Sequence, residues 1–237
     1  MTHVYRCTIE LHDSLYYATR EIGRLYETEP VLHNYALCYA LGLVDSEKYA
    51  TTVSAENSYR YFCPIQVPLY EEHLTPLNEQ EIYVTPARAV RHTAVLNTWK
   101  YADNRYHVEM KKTQKNIPSF GRAKEIAPES QFKFFVISAK SLTFPHWIRL
   151  GKWMSKAEVK VEPLPTPKRH SAREFTVAYP LNPLDVMFTN QVMSYDTINM
   201  PPVSLIRNVR MMGDYYSFEG LNEPLKLPVN MQYCFSQ

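Results

Sequence analysis

Residues 3–12 alternate between apolar and polar. Tyr5, Cys7, Ile9 and Leu11 fall on one side, Arg6, Thr8, Glu10 and His12 on the other. A period of two marks a strand with one buried face. A polar stretch, Asp13 to Glu29, follows. The period then changes. Leu32, Tyr35, Ala36, Tyr39 and Leu43 recur at helical spacing, Pro30 suits a first helical turn, and Thr28 suits the cap. Leu37, Cys38, Ala40 and Leu41 fill most of the remaining circumference, so this helix is expected to be covered on more than one side. Tyr59–Leu69 reads as extended, and its prolines Pro64 and Pro68 put it at an edge or in a crossing loop. Further strands are expected at Glu81–Thr85, Gln131–Ile137, Trp153–Glu162, Phe175–Tyr179 and Val203–Met211. A strand, a strong helix and then several strands read as an α+β chain with an antiparallel sheet. The simplest fit is a ferredoxin-like βαββαβ core, the shape shared with RNA-recognition motifs. Pro145–Met154 is the candidate for its second helix.

Composition narrows the function classes. At 237 residues and 45% apolar content the chain is long enough to bury a sizeable core. Its longest apolar stretch, Val31 to Val44, is shorter than the roughly 20 residues of a membrane helix and contains His33 and Asn34. No basic segment followed by an apolar one opens the sequence, so a soluble, cytoplasmic protein is expected, with no membrane partner. Only 6 glycines occur, and none has the spacing of a dinucleotide-binding loop, a phosphate-cradling loop or a nucleophile elbow. Those loops need glycine because backbone must approach phosphate without a Cβ in the way. The four cysteines, Cys7, Cys38, Cys63 and Cys234, lie far apart, and the histidines form no metal-binding spacing. Buried thiols, no metal and no cofactor are therefore expected.

The net charge is only +2, but its distribution is uneven. Between Pro86 and Lys124 stand Arg88, Arg91, Lys100, Arg105, Lys111, Lys112, Lys115, Arg122 and Lys124 against two acids, Asp103 and Glu109. That segment carries +7, which leaves −5 for the rest. It also carries Trp99, Tyr101, Tyr106 and Phe120. Cations pair with phosphates and aromatic rings stack on unpaired bases, which points to RNA. A second basic-aromatic cluster is His146–Trp153, with Arg149, Lys152 and Trp153 as its binding candidates. The candidate RNA-binding set is thus Arg88, Arg91, Trp99, Lys100, Tyr101, Arg105, Lys111, Lys112, Lys115, Arg122, Arg149, Lys152 and Trp153. The single Gly151 would permit close approach of a backbone or a phosphate. A third cluster, Lys168–Arg173, reads as a solvated basic loop. Its His170, with Lys168 or Tyr179, is alternatively a general base for cutting RNA.

Several segments together resemble a known family: His3–Leu11, Ala18–Gly23, the helix Asn34–Leu43, Leu150–Ala157 and the long central basic insertion. They are similar, in order and spacing, to the Cas-five-type subunit of type I-D Cascade, within the RAMP superfamily of CRISPR-associated proteins. The resemblance implies a single RAMP-like domain over residues 1–237 with a basic thumb inserted at 86–127. It further implies a non-catalytic subunit that holds the 5′ handle of the guide RNA and caps the Cascade filament. Such a subunit helps position the large subunit that reads the protospacer-adjacent motif. The implied partners are guide RNA, the filament-forming backbone subunit and the large subunit, with target double-stranded DNA near that motif as a further candidate. The alternative that the resemblance leaves open is a metal-independent endoribonuclease that processes CRISPR precursor RNA.

Overall fold

The computed structural model describes residues 2–23, 25–44, 68–100 and 120–235. In chain order the elements are β1 (His3–Leu11), β2 (Arg20–Ile22), β3 (Leu25–Glu27), β4 (Val31–Leu32), α1 (Asn34–Ala40) and α2 (Tyr70–Glu79). Then come β5 (Ile82–Val84), β6 (Ala87–Arg91), β7 (Ala94–Lys100), β8 (Phe120–Ile126), β9 (Gln131–Ser138), β10 (Trp147–Leu150) and β11 (Ser155–Pro163). The C-terminal part holds β12 (Lys168–Val177), α3 (Pro183–Val186), β13 (Gln191–Ile198), β14 (Leu205–Ser217) and β15 (Lys226–Pro228). The chain is α+β, mostly antiparallel sheet with few helices.

Among the described residues three sheets form. The largest runs β10-β11-β1-β9-β6-β4, with β5 also pairing β9, and every pairing in it is antiparallel. β1 lies inside it, between β11 and β9, and its alternation buries Cys7, Ile9 and Leu11. β9 answers with Phe132, Phe134 and Val136 from the expected face, and Phe135 is buried as well. A second sheet is ordered β12-β14-β13, with β15 also on β14. A third is ordered β2-β3-β8-β7, in which β3 and β8 run parallel. One contiguous apolar core takes in Cys7, Ile9, Phe132 and Phe134 from the first sheet and Phe175, Val209 and Met211 from the second.

Five local expectations are corrected. The first helix starts at Asn34 rather than Pro30, because Val31 and Leu32 pair with Arg88 and Ala87 as a short strand. Its cap is His33, whose Nδ1 accepts from the Tyr35 N–H at 3.2 Å, while Thr28 instead accepts from the Tyr17 N–H at 3.1 Å. The helix ends at Ala40 with Leu41 as its cap, and Gly42 follows at a left-handed φ of +68°, a conformation that favours glycine. Pro145–Met154 is not a helix but β10 and the turn after it. The strand expected from Trp153 accordingly begins at Ser155. Lys168–Arg173 is not a loop but the first part of β12, paired with β14 from Lys168–Ser217 onward. Of Tyr59–Leu69, residues 59–67 lie outside the described residues, as does Cys63, and Leu69 leads into α2.

A buried polar seam joins the helices to the C-terminal part. Asp185, in α3, is 1% exposed. Its Oδ2 accepts from the Tyr83 hydroxyl at 2.8 Å and the Asn34 amide at 2.9 Å, and its Oδ1 accepts from the Cys234 N–H at 3.3 Å. Burial pushes its carboxyl up to about 7, against these three hydrogen bonds, which favour the ionised form. Next to it Tyr233 receives the Val84 N–H at 2.9 Å and hydrogen-bonds the Cys38 thiol at 3.0 Å. Cys7 and Cys38 are buried, and burial raises both thiols to about 12. No helix among the described residues is long and apolar enough to cross a membrane.

Candidate nucleic-acid interface

The long basic segment is rooted in two places. Its first strand, β6, belongs to the central sheet, so Arg88 and Arg91 sit on the body of the protein. The Arg88 guanidinium lies 4.3 Å over the Tyr179 ring, donates to the Ala178 carbonyl at 3.4 Å and has Glu223 at 4.0 Å. Arg91 is exposed and donates to the Glu129 carbonyl at 3.2 Å. The second root is the antiparallel pair β7–β8, braced on β3. Alternation along β8 buries Ala123 and Glu125 and turns Arg122 and Lys124 to solvent. Lys124 approaches Glu27 at 3.3 Å, and Arg20 binds the same carboxylate. Those two cations hold the Glu27 carboxyl below its usual range, with the Arg20 hydrogen bond the larger influence. Trp99 and Lys100 pair with Gly121 and Phe120 at the far end of the ladder. Tyr101, Arg105, Lys111, Lys112 and Lys115 lie outside the described residues.

The second cluster is assembled by the β10–β11 hairpin. Gly151 opens its turn at φ +73°, and a Cβ there would meet the Tyr16 carbonyl oxygen at 2.7 Å and Leu15 Cδ1 at 2.8 Å. The close approach that glycine permits is therefore made by the chain's own backbone rather than by a phosphate on that side. The Lys152 N–H donates to the same Tyr16 carbonyl at 2.8 Å, which seats the turn on the segment after β1. Trp153 stacks on Tyr16, with ring centroids 4.5 Å apart and an interplanar angle of 28°, yet is 51% exposed. One face is braced and the other is left to solvent. Around it the Arg149 guanidinium donates to the Met154 carbonyl at 3.1 Å, Lys152 lies 6.0 Å over the Tyr16 ring, and Lys156 lies 3.9 Å over the Trp147 ring. Asp13 stands 4.0 Å from Arg149.

The fold thus brings Arg149, Lys152 and Trp153 together. Tyr16, Trp147 and Lys156 were not among the sequence candidates for this site. Trp147 falls within the His146–Trp153 cluster. Lys156 faces Arg149 across the ladder, a pairing that only register reveals. Tyr16 comes from a stretch whose polar pattern carries no signal.

In the third cluster His170 and Lys168 each have partners of their own on the C-terminal sheet and the turn after it. The His170 Nε2 is 2.8 Å from Ser217 Oγ and its ring stacks on Tyr215 at 4.7 Å. Lys168 faces Glu219 at 3.8 Å. Tyr179 lies beyond the other end of β12, buried against Phe135. Among the described residues no group of three or more His, Cys, Asp or Glu side chains is placed to hold a metal ion.

Residues 2–236 match the family described as type I-D CRISPR-associated protein Cas5/Csc1. The chain belongs to this family. As a Cas5/Csc1 family member it is a subunit of the CRISPR effector class. Among solved structures, a chain from the cryo-EM structure of the type III-B Cmr-beta bound to cognate target RNA and AMPPnP is similar over 87% of this chain and 86% of that one. The identity is 8% and the TM-score 0.41, a likeness too distant to bear on function. No curated protein matches the Cas5/Csc1 chain.

Proposed function

We propose that this chain is the non-catalytic, guide-RNA-binding subunit of a type I-D Cascade, acting in the cytoplasm. It holds the 5′ handle, caps the filament beside the backbone subunit and helps position the large subunit on target DNA near the protospacer-adjacent motif. The observation that carries the reading is the half-exposed Trp153, stacked on Tyr16 beside Lys152 in a hairpin whose strands carry Arg149 and Lys156 as a cross-strand pair. An aromatic face next to cations is what single-stranded nucleic acid requires, since every base has a π-face and every nucleotide a phosphate. The +7 segment supplies a second set of cations. The strand order β11-β1-β9-β6, with both α1 and α2 between β1 and β6, supports a ferredoxin-like core. In that core β10 stands in the connection where the second helix would run.

The reading is tested with the triple variant Lys111→Gln, Lys112→Gln, Lys115→Gln. Each phosphate contact on single-stranded RNA contributes about 0.7 to the slope of log affinity against log salt. Binding of a repeat-derived RNA, followed by filter retention at several salt concentrations, is expected to weaken and its slope to flatten by about 2. Equal affinity for the repeat-derived RNA and a scrambled one, with an unchanged slope in the variant, would overturn the assignment.

A further inference from the structure

A surface groove of about 540 Å³ runs between α1 and β10, beside the Trp153 turn. Its size falls within the usual range for a site that takes a small organic group. We propose that it receives one unstacked nucleobase of the bound single-stranded RNA; the proposal rests on the RNA-binding reading above and deepens it.

Three observations point to this occupant. First, Ala36 and Ala40 stand one turn apart on the groove side of α1 and are only partly buried. Alanine leaves room where any longer side chain of the helix would project. Second, the walls are aromatic and the rim is cationic. Tyr17, Tyr39 and Trp147 line the groove, and so do Arg149 and Lys156. Both cations are already oriented, one by the Met154 carbonyl and the other by the Trp147 ring. A nucleotide brings a phosphate to such a pair and a flat base to the aromatic walls beside it. Third, among the described residues β10 is the last strand of its sheet. The Val159 N–H donates to the His146 carbonyl at 2.8 Å. Antiparallel alternation then leaves the N–H and C=O of Trp147 and Arg149 on the outer edge. Backbone donors and acceptors of this kind can read the hydrogen-bonding edge of a base held between the aromatic walls.

The experiment uses the full-length chain and a fluorescent, repeat-derived single-stranded RNA in which one abasic site is moved along the strand, with binding read by anisotropy. One position is expected at which loss of the base weakens binding roughly fivefold to a hundredfold. Ala40→Leu fills the groove without removing a cation. It is expected to erase the penalty at that position and leave the salt slope unchanged. Ala36→Leu is the second filling variant, and thermal melts report whether each folds. A flat scan with salt-sensitive binding intact overturns the base pocket while the RNA-binding reading stands. Absence of any RNA binding overturns both. A flat scan together with failure of Ala40→Leu to assemble with neighbouring subunits assigns the groove to a protein partner and overturns the proposal.

Discussion

Asp185→Leu is expected to lower stability by about 3–5 kcal/mol, because two buried donors lose their acceptor and each unmatched group costs about 1–3 kcal/mol. Those donors are the Tyr83 hydroxyl and the Asn34 amide. For a chain of this size the melting temperature should fall by about 6–20 °C. Asp185→Asn, which keeps an oxygen toward both donors, should cost much less and isolates the effect of charge. A folded-state carboxyl near 7 against about 3.9 in the unfolded chain means the folded protein holds a proton that the unfolded one has released. This group's contribution is greatest below about pH 4 and is lost as pH rises through about 7. His33 works in the opposite sense. Burial lowers it to about 4, despite its hydrogen bond to the Val203 carbonyl, and protonation of Nδ1 would remove the helix cap. Its contribution is present above about pH 6.5 and is lost as pH falls through about 4. Each acts at about 1.4 kcal/mol per pH unit, so the two largely cancel between about pH 4 and pH 6.5. Denaturant melts of Asp185→Asn should show stability rising with pH across that window. Melts of His33→Asn should show it falling. Parallel pH profiles for both variants and the parent chain would contradict the buried pair.

Gly151→Val is the second large change. A left-handed conformation costs a side-chain-bearing residue about 1–2 kcal/mol, and forcing atoms into a filled site costs about 1–3 kcal/mol more. Here the new Cβ would meet a backbone carbonyl 2.7 Å away, which cannot rotate aside. A total loss of about 2–5 kcal/mol is expected, with Gly151→Ala at the lower end. The hairpin should also leave Tyr16, so Trp153 loses its brace. Red-shifted tryptophan emission and weaker RNA binding would accompany the lower melting point. A variant that melts like the parent with unaltered emission would show that the turn is not seated as described.

What was legible in the sequence follows from how local each signal is. β1, β9 and β11 each bury one face against a single core, so alternation alone reveals them. Val31 and Leu32 read as helix because their strand partners, Ala87 and Arg88, stand more than fifty residues away. α2 carries no clear helical signal, because Pro76 lies inside it and few of its residues are apolar and buried. The Lys168–Arg173 part of β12 has side chains that are mostly exposed on both faces, so no alternation marks it. The site divides in the same way. Arg149, Lys152 and Trp153 are neighbours in sequence and could be read as a cluster. Tyr16 joins them from more than a hundred residues away, through a backbone contact that no pattern encodes.

The Tyr233 seam has a consequence for biosynthesis. Asn78 brackets Tyr233 through reciprocal hydrogen bonds of 2.9 Å, and the tyrosine hydroxyl reaches Val84 and Cys38. Tyr233 thus completes the packing of helices made more than a hundred and fifty residues before it. The central strand likewise waits for partners more than a hundred residues downstream. A nascent chain must therefore carry exposed apolar helix and strand surface until these distant partners have left the ribosome, which makes early engagement by a chaperone or by an assembly partner advantageous.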